Sequence, residues 1–326
     1  MKKAIYILLF ILFTTLLLSV VSISYAETFG DLVYSVSYNG YVSINSCKEN
    51  VKELTIPSAI NGNPVIAIGE NAFGPACFSL KTVTIPESVV YIHENAFREC
   101  HHLESVTVAD GNFAYRSENG VLIDKLKSML VVYPEEKSES NYKTPDNVLI
   151  IGEEAFSKNE HITQVDIADG TELVFAWAFS GCKNLRNVKL PDSIRVIEEG
   201  AFHNCETLTE IALPNLIRKI YPYTFKDCTA LQKVTMFDTV AFIKEQAFSG
   251  CNNLTDFTIS GGIIGISEKA FYNCLALAEI RLPDSYVMTI ASDAFYNCPN
   301  LTVYAPHDSA AEEELKANRI MFSYSD

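Results

Sequence analysis

The sequence predicts a β-rich solenoid, a superhelix of coils of about 23 residues with a parallel sheet along one side. Three observations predict this fold. A Phe returns at a nearly constant spacing, a short strand-like segment follows each Phe, and Pro often ends that segment. A chain built in this way forms stacked copies of one unit.

The marker phenylalanines define the repeat. They are Phe73, Phe97, Phe156, Phe179, Phe202, Phe225, Phe248, Phe271 and Phe295. Their spacings are 24, 59, 23, 23, 23, 23, 23 and 24 residues, and Ala precedes all of them except Phe225. An aliphatic residue stands five positions before each Phe. The constant register indicates that each Phe occupies the same place in its coil.

The segment after each marker has the periodicity of a strand. LRNVKLP begins at Leu185 and LTEIALP at Leu208, so apolar side chains alternate to one face. Pro191 and Pro214 then end these strands, because proline cannot continue a hydrogen-bonded ladder. One such unit cannot bury its apolar side alone, whereas stacked units form a parallel sheet over a continuous core.

The repeated motif I-x-x-x-A-F-x-x-C-x-x-L-x-x-V-x-L-P resembles the BspA-like, bacterial surface-antigen type of leucine-rich repeat. The resemblance covers nearly the whole chain after residue 26. It implies a right-handed leucine-rich-repeat superhelix. It also implies a secreted or surface-exposed protein, and several members of the family are associated with adhesion.

A Cys stands three residues before the Leu that opens most strands, and Asn159 takes this place in one coil. We interpret these residues as buried thiols and one amide that satisfy loop backbone, and the Phe residues as an internal aromatic spine. A disulfide ladder is the alternative in an exported chain, although parallel side chains suit bridging badly. Cys47 lies outside the column and is predicted to be the free or reactive cysteine. The structural column comprises Phe97, Phe179, Phe202, Phe225, Phe248, Phe271, Cys100, Cys182, Cys205, Cys228, Cys251 and Cys274.

The N-terminus has the pattern of a secretory signal peptide. Lys2 and Lys3 precede an apolar run over 4–21, and Ser24-Tyr25-Ala26 offers a cleavage site after Ala26. An uncleaved anchor helix is the alternative, since the run approaches the length of a membrane span. Cleavage of residues 1–26 leaves 23 Lys and Arg against 40 Asp and Glu, a formal charge of −17. Such a surface repels nucleic acid and anionic lipid, so we expect neither as a partner, and no membrane span after cleavage.

Both ends of the repeat region read as caps. Residues 27–50 predict an N-terminal β-hairpin with Asn39-Gly40 as its turn. The solenoid itself is predicted over 51–304. Residues 305–326 predict a C-terminal cap, with a short helix that starts at Asp308 or Ser309 and runs through Asn318.

The gap of 59 residues between Phe97 and Phe156 equals one period plus 36. It predicts a hairpin insertion at about 110–147, with its turn near Asp124–Lys127. The segment EEKSESNYKTPDN within it reads as an exposed polar loop. A decorated coil is somewhat favoured over a binding projection, although long loops often carry function.

Two surfaces are candidates for partner binding. The outward positions of the strands form a polar strip of mixed charge without aromatic anchors, which we call the sheet face. Its candidate residues are Thr84, Thr107, Asp166, Lys189, Lys233, Asp256 and Arg281. A second candidate is an aromatic turn patch of Tyr221, Tyr223, Phe237 and Phe242, whose rings could equally pack between coils.

The sequence lacks recognisable catalytic, cofactor and metal motifs. Cys100-His101-His102 has no second ligand pair at metal-site spacing, and Cys205 recurs in the repeat while His203 does not. The leading interpretation is therefore a non-enzymatic, secreted or cell-surface protein without a cofactor. It would bind an extracellular protein or glycan, in adhesion or another interaction. A structural, self-associating component of the cell envelope is the alternative, and an enzyme with an unrecognised site comes third.

Overall fold

The computed structural model describes residues 26–259 and 261–325. These residues divide into two compact units. Unit 1 contains residues 26–102 and 106–116, and unit 2 contains 103–105 and 117–325. The predicted signal peptide lies outside the described residues except for Ala26. Within the described ranges, no helix is both long enough and apolar enough to cross a bilayer.

Unit 1 begins with an antiparallel meander of β1 (Glu27–Phe29), β2 (Leu32–Val36) and β3 (Val42–Cys47). The turn between β2 and β3 places Gly40 at a φ of +77°, where a residue without a side chain is favoured. The predicted N-terminal hairpin is therefore confirmed, and β1 adds a third strand that the sequence pattern did not indicate.

The remainder of unit 1 contains the first coils. The long strands β4 (Glu53–Thr55), β7 (Thr82–Ile85) and β9 (Ser105–Val108) form one sheet. A second sheet joins β3 to β6 (Asn63–Ile68) and β8 (Tyr91–Ile92) in parallel. Further short elements are β5 (Ala59–Ile60), which pairs with β6, and a 3-10 helix over Pro75–Cys77.

Unit 2 repeats this plan with one long and one short strand in each coil. β10 (Tyr115–Glu118) spans the boundary between the units, and β11 (Val121–Asp124) and β12 (Met129–Val132) form the predicted hairpin. The long strands are β13 (Asn141–Lys143), β15 (Gln164–Asp166), β17 (Asn187–Lys189), β19 (Glu210–Ala212), β21 (Lys233–Thr235), β23 (Asp256–Phe257), β25 (Glu279–Arg281) and β27 (Thr302–Ala305). The short strands are β14 (Ile150–Ile151), β16 (Leu173–Val174), β18 (Val196–Ile197), β20 (Lys219–Ile220), β22 (Phe242–Ile243), β24 (Gly265–Ile266) and β26 (Thr289–Ile290).

Parallel pairing of these strands confirms the predicted solenoid. Pairing follows the period, as in Gln164↔Asn187 on the long strands and Ile151↔Val174 on the short strands. The sequence pattern predicted one sheet, and the structure adds the second. The second row arises because the aliphatic residue five positions before each Phe closes a two-residue strand with its side chain buried. Two residues are too few for an alternating pattern to be visible in the sequence.

The marker phenylalanines stack through the core of unit 2. Ring centroids of neighbours from Phe156 to Phe295 lie 4.7–5.6 Å apart, and their planes differ by at most 22°. In unit 1, Phe73 and Phe97 meet at 5.1 Å. The backbone on this side also forms a ladder, since Phe202 N–H donates to the Thr224 carbonyl at 2.9 Å. The coil spacing is thus fixed by ring contact and by hydrogen bonds together.

The predicted polar loop after the hairpin is wrong, because the segment forms a further coil. β13 lies within it and pairs in parallel with β15. Tyr133 occupies the marker position 23 residues before Phe156 and stacks on that ring at 4.8 Å. Lys137 and Thr144 are buried despite their polar side chains. Their hydrogen-bond partners, described below, explain how a polar segment packs inside a solenoid.

The prediction that Cys47 is free is also wrong, because Cys47 forms a disulfide with Cys77. β3 carries Cys47 and the 3-10 helix ends at Cys77, which brings the Cα atoms to 5.4 Å, inside the usual range for a disulfide. The strand pairing that places Cys47 beside the column is not visible in its sequence position. In the described part of unit 2, the column cysteines from Cys182 onward remain thiols.

The C-terminal cap has the predicted short helix, α1 (Ala310–Ala317). Ser309 caps it by accepting a hydrogen bond from Glu312 N–H, and Asn318 closes it. Hydrogen bonds from Lys316 and Tyr324 to the Glu312 carboxylate lower the pKa of Glu312 to about 2. The tail then pairs as β28 (Ser323–Tyr324) with β27. The cap is therefore tied to the last coil by both ends.

Candidate functional site

The column cysteines link successive coils. The Cys182 thiol donates to the Phe156 carbonyl at 3.0 Å, and the Cys228 thiol donates to the Phe202 carbonyl at 3.0 Å. The same bond recurs at each later column cysteine of unit 2. Each accepting carbonyl belongs to the marker Phe one coil back. A compact buried donor is needed here, and Cys supplies one with a small side chain.

Burial makes the fully buried thiols of the column, such as Cys205 and Cys228, unsuited to nucleophilic chemistry. It raises the pKa of the Cys228 thiol to about 12, and it raises the pKa of Cys205 well above the ordinary value. Because the thiolate is the reactive form, the burial and the raised pKa of Cys205 disfavour it as the nucleophile that its proximity to His203 suggests in the sequence. In the residues that the structure describes, no three His, Cys, Asp or Glu side chains form a group able to hold a metal ion.

Asn159 takes the cysteine position in the coil that follows the irregular one. Its amide donates to the carbonyls of Pro134 at 2.8 Å and Lys137 at 3.2 Å. Its side-chain oxygen accepts from the backbone N–H of His161 and Ile162. An amide can make these four hydrogen bonds and a thiol cannot. Asn therefore replaces Cys here because the preceding, irregular coil presents two carbonyls instead of one.

The structure places the candidate residues of the sheet face in both units. Thr84 lies in β7 and Thr107 in β9. Asp166, Lys189, Lys233, Asp256 and Arg281 lie on the outward positions of long strands in unit 2. All of the unit 2 members except the half-buried Asp166 are exposed. The prediction that these positions point outward agrees with their exposure.

Charges of opposite sign follow one another along this surface. Lys143, Asp166 and Lys189 stand in register on three consecutive long strands. A second row pairs Lys233 with Asp256, whose Nζ and Oδ2 atoms lie 2.9 Å apart, and this contact raises the pKa of Lys233. The charges partly satisfy each other, so a partner would have to offer its own alternating pattern.

The sequence pattern missed three members of this surface. Asn141 and Lys143 were hidden in the segment interpreted as a loop, although their 23-residue spacing from Gln164 and Asp166 could have shown them. Tyr304 pairs in register with Arg281, and the Arg281 guanidinium lies 4.3 Å from the centre of its ring. Arg and Tyr are residue types that are enriched at the energetic centres of protein interfaces, and Tyr304 adds an aromatic ring to a surface that the sequence pattern predicted to lack one.

The four residues of the predicted aromatic turn patch lie in different places. Phe242 belongs to β22, Tyr221 follows β20 directly, and Phe237 follows β21 with half of its surface exposed. Within the described residues, no ring contact joins any two of them. A lysine ammonium lies over each of two of these rings. Lys219 Nζ is 4.7 Å from the centre of the Tyr221 ring, and Lys244 Nζ is 4.5 Å from the centre of the Phe242 ring.

Tyr223 instead belongs to a different aromatic group, which we call the Trp177 cluster and which comprises Trp177, Gly200, His203 and Tyr223. Trp177 and Tyr223 lie two coils apart, yet their rings are nearly parallel with centroids 6.3 Å apart. The His203 ring meets Trp177 edge-on at 5.5 Å. All three side chains are half-buried on the turns that precede and follow the marker Phe.

Gly200 makes this arrangement possible. It stands between Trp177 and Tyr223 in the repeat, and a Cβ atom added there would lie 2.3 Å from two atoms of the indole. The indole therefore rests on the Gly200 backbone. Trp177, Gly200 and Tyr223 all have a φ of 57–59°. The backbone at this position of the repeat is therefore left-handed in all three coils, although only one of the three residues is glycine. The 23-residue spacing of these three residues was the signal in the sequence that could have revealed the cluster.

Polar groups surround the rings of the Trp177 cluster. The Tyr223 hydroxyl donates to Glu245 at 3.1 Å, and Lys226 lies 5.4 Å from the Tyr223 ring centre. His203 Nδ1 lies 3.4 Å from the Ser180 hydroxyl, and its Nε2 lies 3.8 Å from Asp227. Burial lowers the pKa of His203, which favours the neutral form of the imidazole. The cluster thus combines flat apolar rings with donors and acceptors.

A cleft of about 580 Å³ lies between α1 and the short strands β24 and β26. Ile266 and Ile290 line its base, and Lys244, Glu268 and Glu314 line its walls. Glu314 already accepts hydrogen bonds from Ile290 N–H and the Asn318 side chain. The cleft is therefore chiefly the junction between the cap and the last coils.

Comparisons with known proteins agree with the repeat geometry. A search of solved structures found similarity to a leucine-rich repeat protein from Eubacterium ventriosum, with 21% identity and a TM-score of 0.66, covering 83% of this chain and 94% of that one. It also found the pneumococcal vaccine antigen PcpA, with 17% identity and a TM-score of 0.52, covering 91% of this chain and 97% of that one. At these identities the likeness shows the fold alone. A search of curated proteins found no match.

The family model for the BspA type leucine rich repeat region matches six copies, over residues 37–121, 134–255 and 242–311. These ranges contain nearly every coil described above. The match also covers residues 135–147 with β13, the segment that the sequence pattern interpreted as a polar loop. Leucine-rich repeat solenoids generally act as scaffolds for protein–protein interaction. The stacked phenylalanines, the thiol links and the family match together show that this chain belongs to the BspA-type leucine-rich repeat family.

Proposed function

We propose that this chain is a secreted or cell-surface binding protein without enzymatic activity. It engages an extracellular protein through the unit 2 part of the sheet face, in adhesion or a related interaction. The observation that carries the proposal is the set of charged side chains in register on neighbouring long strands, all of them exposed except the half-buried Asp166. Eight strands at about 4.8 Å give this surface a length of about 34 Å, enough for a protein partner.

Two further features support an extracellular location. The apolar segment over 4–21 with its small-residue cut site after Ala26 is typical of exported chains. The disulfide between Cys47 and Cys77 is typical of proteins that mature in an oxidising compartment.

The test measures saturable binding of residues 27–326 to a panel of extracellular-matrix proteins. The sheet variant carries Lys189→Ala, Lys233→Ala and Arg281→Ala. A matched variant removes the same charge elsewhere with Lys183→Ala, Arg195→Ala and Arg218→Ala, all exposed and outside the long strands. We expect the sheet variant to weaken binding at least about tenfold, because it removes a cation from three strands of one surface.

The matched variant is expected to bind like the parent chain. Equal losses in both variants would show a general charge effect and contradict the assignment of the sheet face. Absence of binding to every panel member, together with concentration-dependent self-association, would replace this proposal by a structural role in the cell envelope.

A further inference from the structure

We infer that the Trp177 cluster is a carbohydrate-binding site, which takes a neutral pyranose sugar of a glycan on its aromatic rings. This inference goes beyond the proposed function, because it concerns the turns beside the marker Phe and not the long strands. Its ligand also differs in class from the protein partner proposed for the sheet face.

The first argument is the shape of the cluster. Trp177 is the only tryptophan of the chain, and it stands on a turn and not in the core. A large aromatic side chain that is only half-buried leaves apolar surface in contact with water. The bare backbone at Gly200 lets the indole lie flat between coils, where any other residue at that position would displace it.

The second argument is the chemistry of aromatic rings. The face of an aromatic ring carries partial negative charge, and the C–H groups on one face of a pyranose carry partial positive charge. Tyr223 offers a second ring, nearly parallel to Trp177 at 6.3 Å between centroids. Lys226 lies over the Tyr223 ring, and its ammonium also donates a hydrogen bond to the Gln246 side-chain oxygen at 2.9 Å.

The third argument is the ring of polar groups. Sugar hydroxyls both donate and accept hydrogen bonds, so they need carboxylates, amides and neutral imidazoles close to the stacking surface. Asp227, Glu245 and Gln246 supply the first two kinds, and His203 supplies the third. His203 Nε2 lies 3.8 Å from Asp227 Oδ2, beyond hydrogen-bonding distance, so these two atoms are not hydrogen-bonded to each other.

These surroundings favour a sugar over a protein side chain. Aromatic anchors at protein interfaces are enclosed by contacts that exclude water. Here the neighbours of the rings include Ser180, His203, Lys226 and Glu245, whose polar atoms can hydrogen-bond to hydroxyl groups at the rim. The formal net charge of −15 for the whole chain also argues against a nucleobase as the stacking ligand.

The lone tryptophan makes a direct test possible, because all tryptophan fluorescence of the chain reports on this cluster. Residues 27–326 would be titrated with glucose, galactose, N-acetylglucosamine and short oligomers of each. We expect at least one sugar to shift and saturate the Trp177 emission. The dissociation constant should be roughly millimolar for a monosaccharide and lower for an oligomer.

Three variants locate the binding. Tyr223→Ala keeps the reporter and is expected to weaken binding at least tenfold. Gly200→Ala displaces the indole and is expected to abolish the saturable signal. Tyr296→Ala removes an aromatic ring that stacks on Tyr272 instead, at 5.9 Å, and is expected to leave the affinity unchanged. Circular dichroism of each variant separates loss of binding from loss of folding.

The inference is overturned if no sugar gives a saturable change of emission, or if Tyr223→Ala binds as tightly as the parent chain. It is also overturned if a matrix protein, and no sugar, perturbs Trp177, since the cluster would then be a protein-binding surface. The triple sheet variant should still bind the sugar, because its substitutions lie outside the Trp177 cluster. Sugar binding and protein binding can therefore fail independently of each other.

Discussion

The coil of Tyr133 and the coil of Phe202 share one backbone plan and differ in almost every consensus side chain. Tyr133 N–H donates to the Ala155 carbonyl at 2.7 Å, and Phe202 N–H donates to the Thr224 carbonyl at 2.9 Å. Both rings are buried and stack on the next coil. The difference shows that a flat ring and the backbone ladder define a coil, while the other consensus residues can be replaced.

The replacements in the irregular coil are polar. Glu139 stands where other coils have Leu or Ile, and its carboxylate lies 2.7 Å from the ammonium of the buried Lys137. Thr144 stands at the position of Ile167, and its hydroxyl accepts from Ala168 N–H at 2.8 Å. The regular coils bury apolar surface, whereas this coil pairs the buried Lys137 and Thr144 side chains with polar partners. The Lys137 ammonium is buried and the Glu139 carboxylate is exposed, so removing Glu139 would leave a buried positive charge without its carboxylate.

The largest expected effect is at the ring column. Phe202→Ala should lower the free energy of unfolding by about 3–5 kcal/mol, because a fully buried ring between two stacked neighbours is lost. Urea denaturation followed by circular dichroism measures it. The matched control is Phe237→Ala, at a half-exposed ring, which should change the free energy by less than about 0.5 kcal/mol. Similar losses at both sites would mean that the stack does not hold the coils together.

The next effect distinguishes the two kinds of coil. Asn159→Cys restores the consensus, yet we expect it to cost about 1–3 kcal/mol, because the carbonyls of Pro134 and Lys137 lose their donors. The reciprocal Cys205→Asn should also destabilise, since a larger amide replaces a thiol that bonds one carbonyl. The same urea experiment decides. If Asn159→Cys is neutral or stabilising, the hydrogen bonds to the Pro134 and Lys137 carbonyls do not determine the residue at this position.

A smaller effect isolates the ring of the irregular coil. Tyr133→Phe keeps the stack on Phe156 and loses a long hydrogen bond to the Glu139 carbonyl, so the change should stay within about 1 kcal/mol. Tyr133→Ala should cost about 3–5 kcal/mol, as at Phe202. If both variants lose equally, the hydroxyl and not the ring holds this coil, and the comparison with Phe202 fails.

The smallest effect concerns reactivity and not stability. With iodoacetamide at pH 8, the thiol of Cys228 should react at least about 100-fold more slowly than in the urea-unfolded chain, because burial raises its pKa to about 12 and shields the sulfur. Cys298 is only partly buried, and a hydrogen bond with Cys274 lowers its pKa, so it should react first. Peptide mapping by mass spectrometry gives the order. Early labelling of Cys228 in the native protein would show that the interior of the column opens.

The regular coils were predictable because the same residue types return at one spacing. Phe179 and Cys182 carry their roles in their positions, and so do the outward Lys189 and Lys233. The irregular coil was not predictable in this way, because Tyr133 and Thr144 replace apolar residues by polar ones whose partners come from other coils. The pairing of Cys47 was not predictable either, because its partner Cys77 is 30 residues away in the sequence and outside any repeat that contains Cys47.

The candidate sites divide similarly. The sheet face follows from strand alternation alone, and only Tyr304 and the residues of β13 were missed there. The Trp177 cluster requires knowing that Gly200 leaves a gap and that rings two coils apart can meet across it. The aromatic turn patch predicted from the sequence therefore contained Tyr223 together with Tyr221 and did not contain Trp177.

The link from each thiol to the carbonyl one coil back has a mechanical consequence. A force along the axis of unit 2 acts on the thiol–carbonyl hydrogen bonds, the backbone hydrogen bonds and the ring contacts between successive coils. Because each coil contacts only its neighbours, we expect these contacts to break one coil at a time. Extension should proceed in steps, each releasing 23 residues or about 80 Å of contour length. In unit 1 the disulfide removes the 30-residue span between Cys47 and Cys77 from that extension, roughly 100 Å of chain that force cannot release.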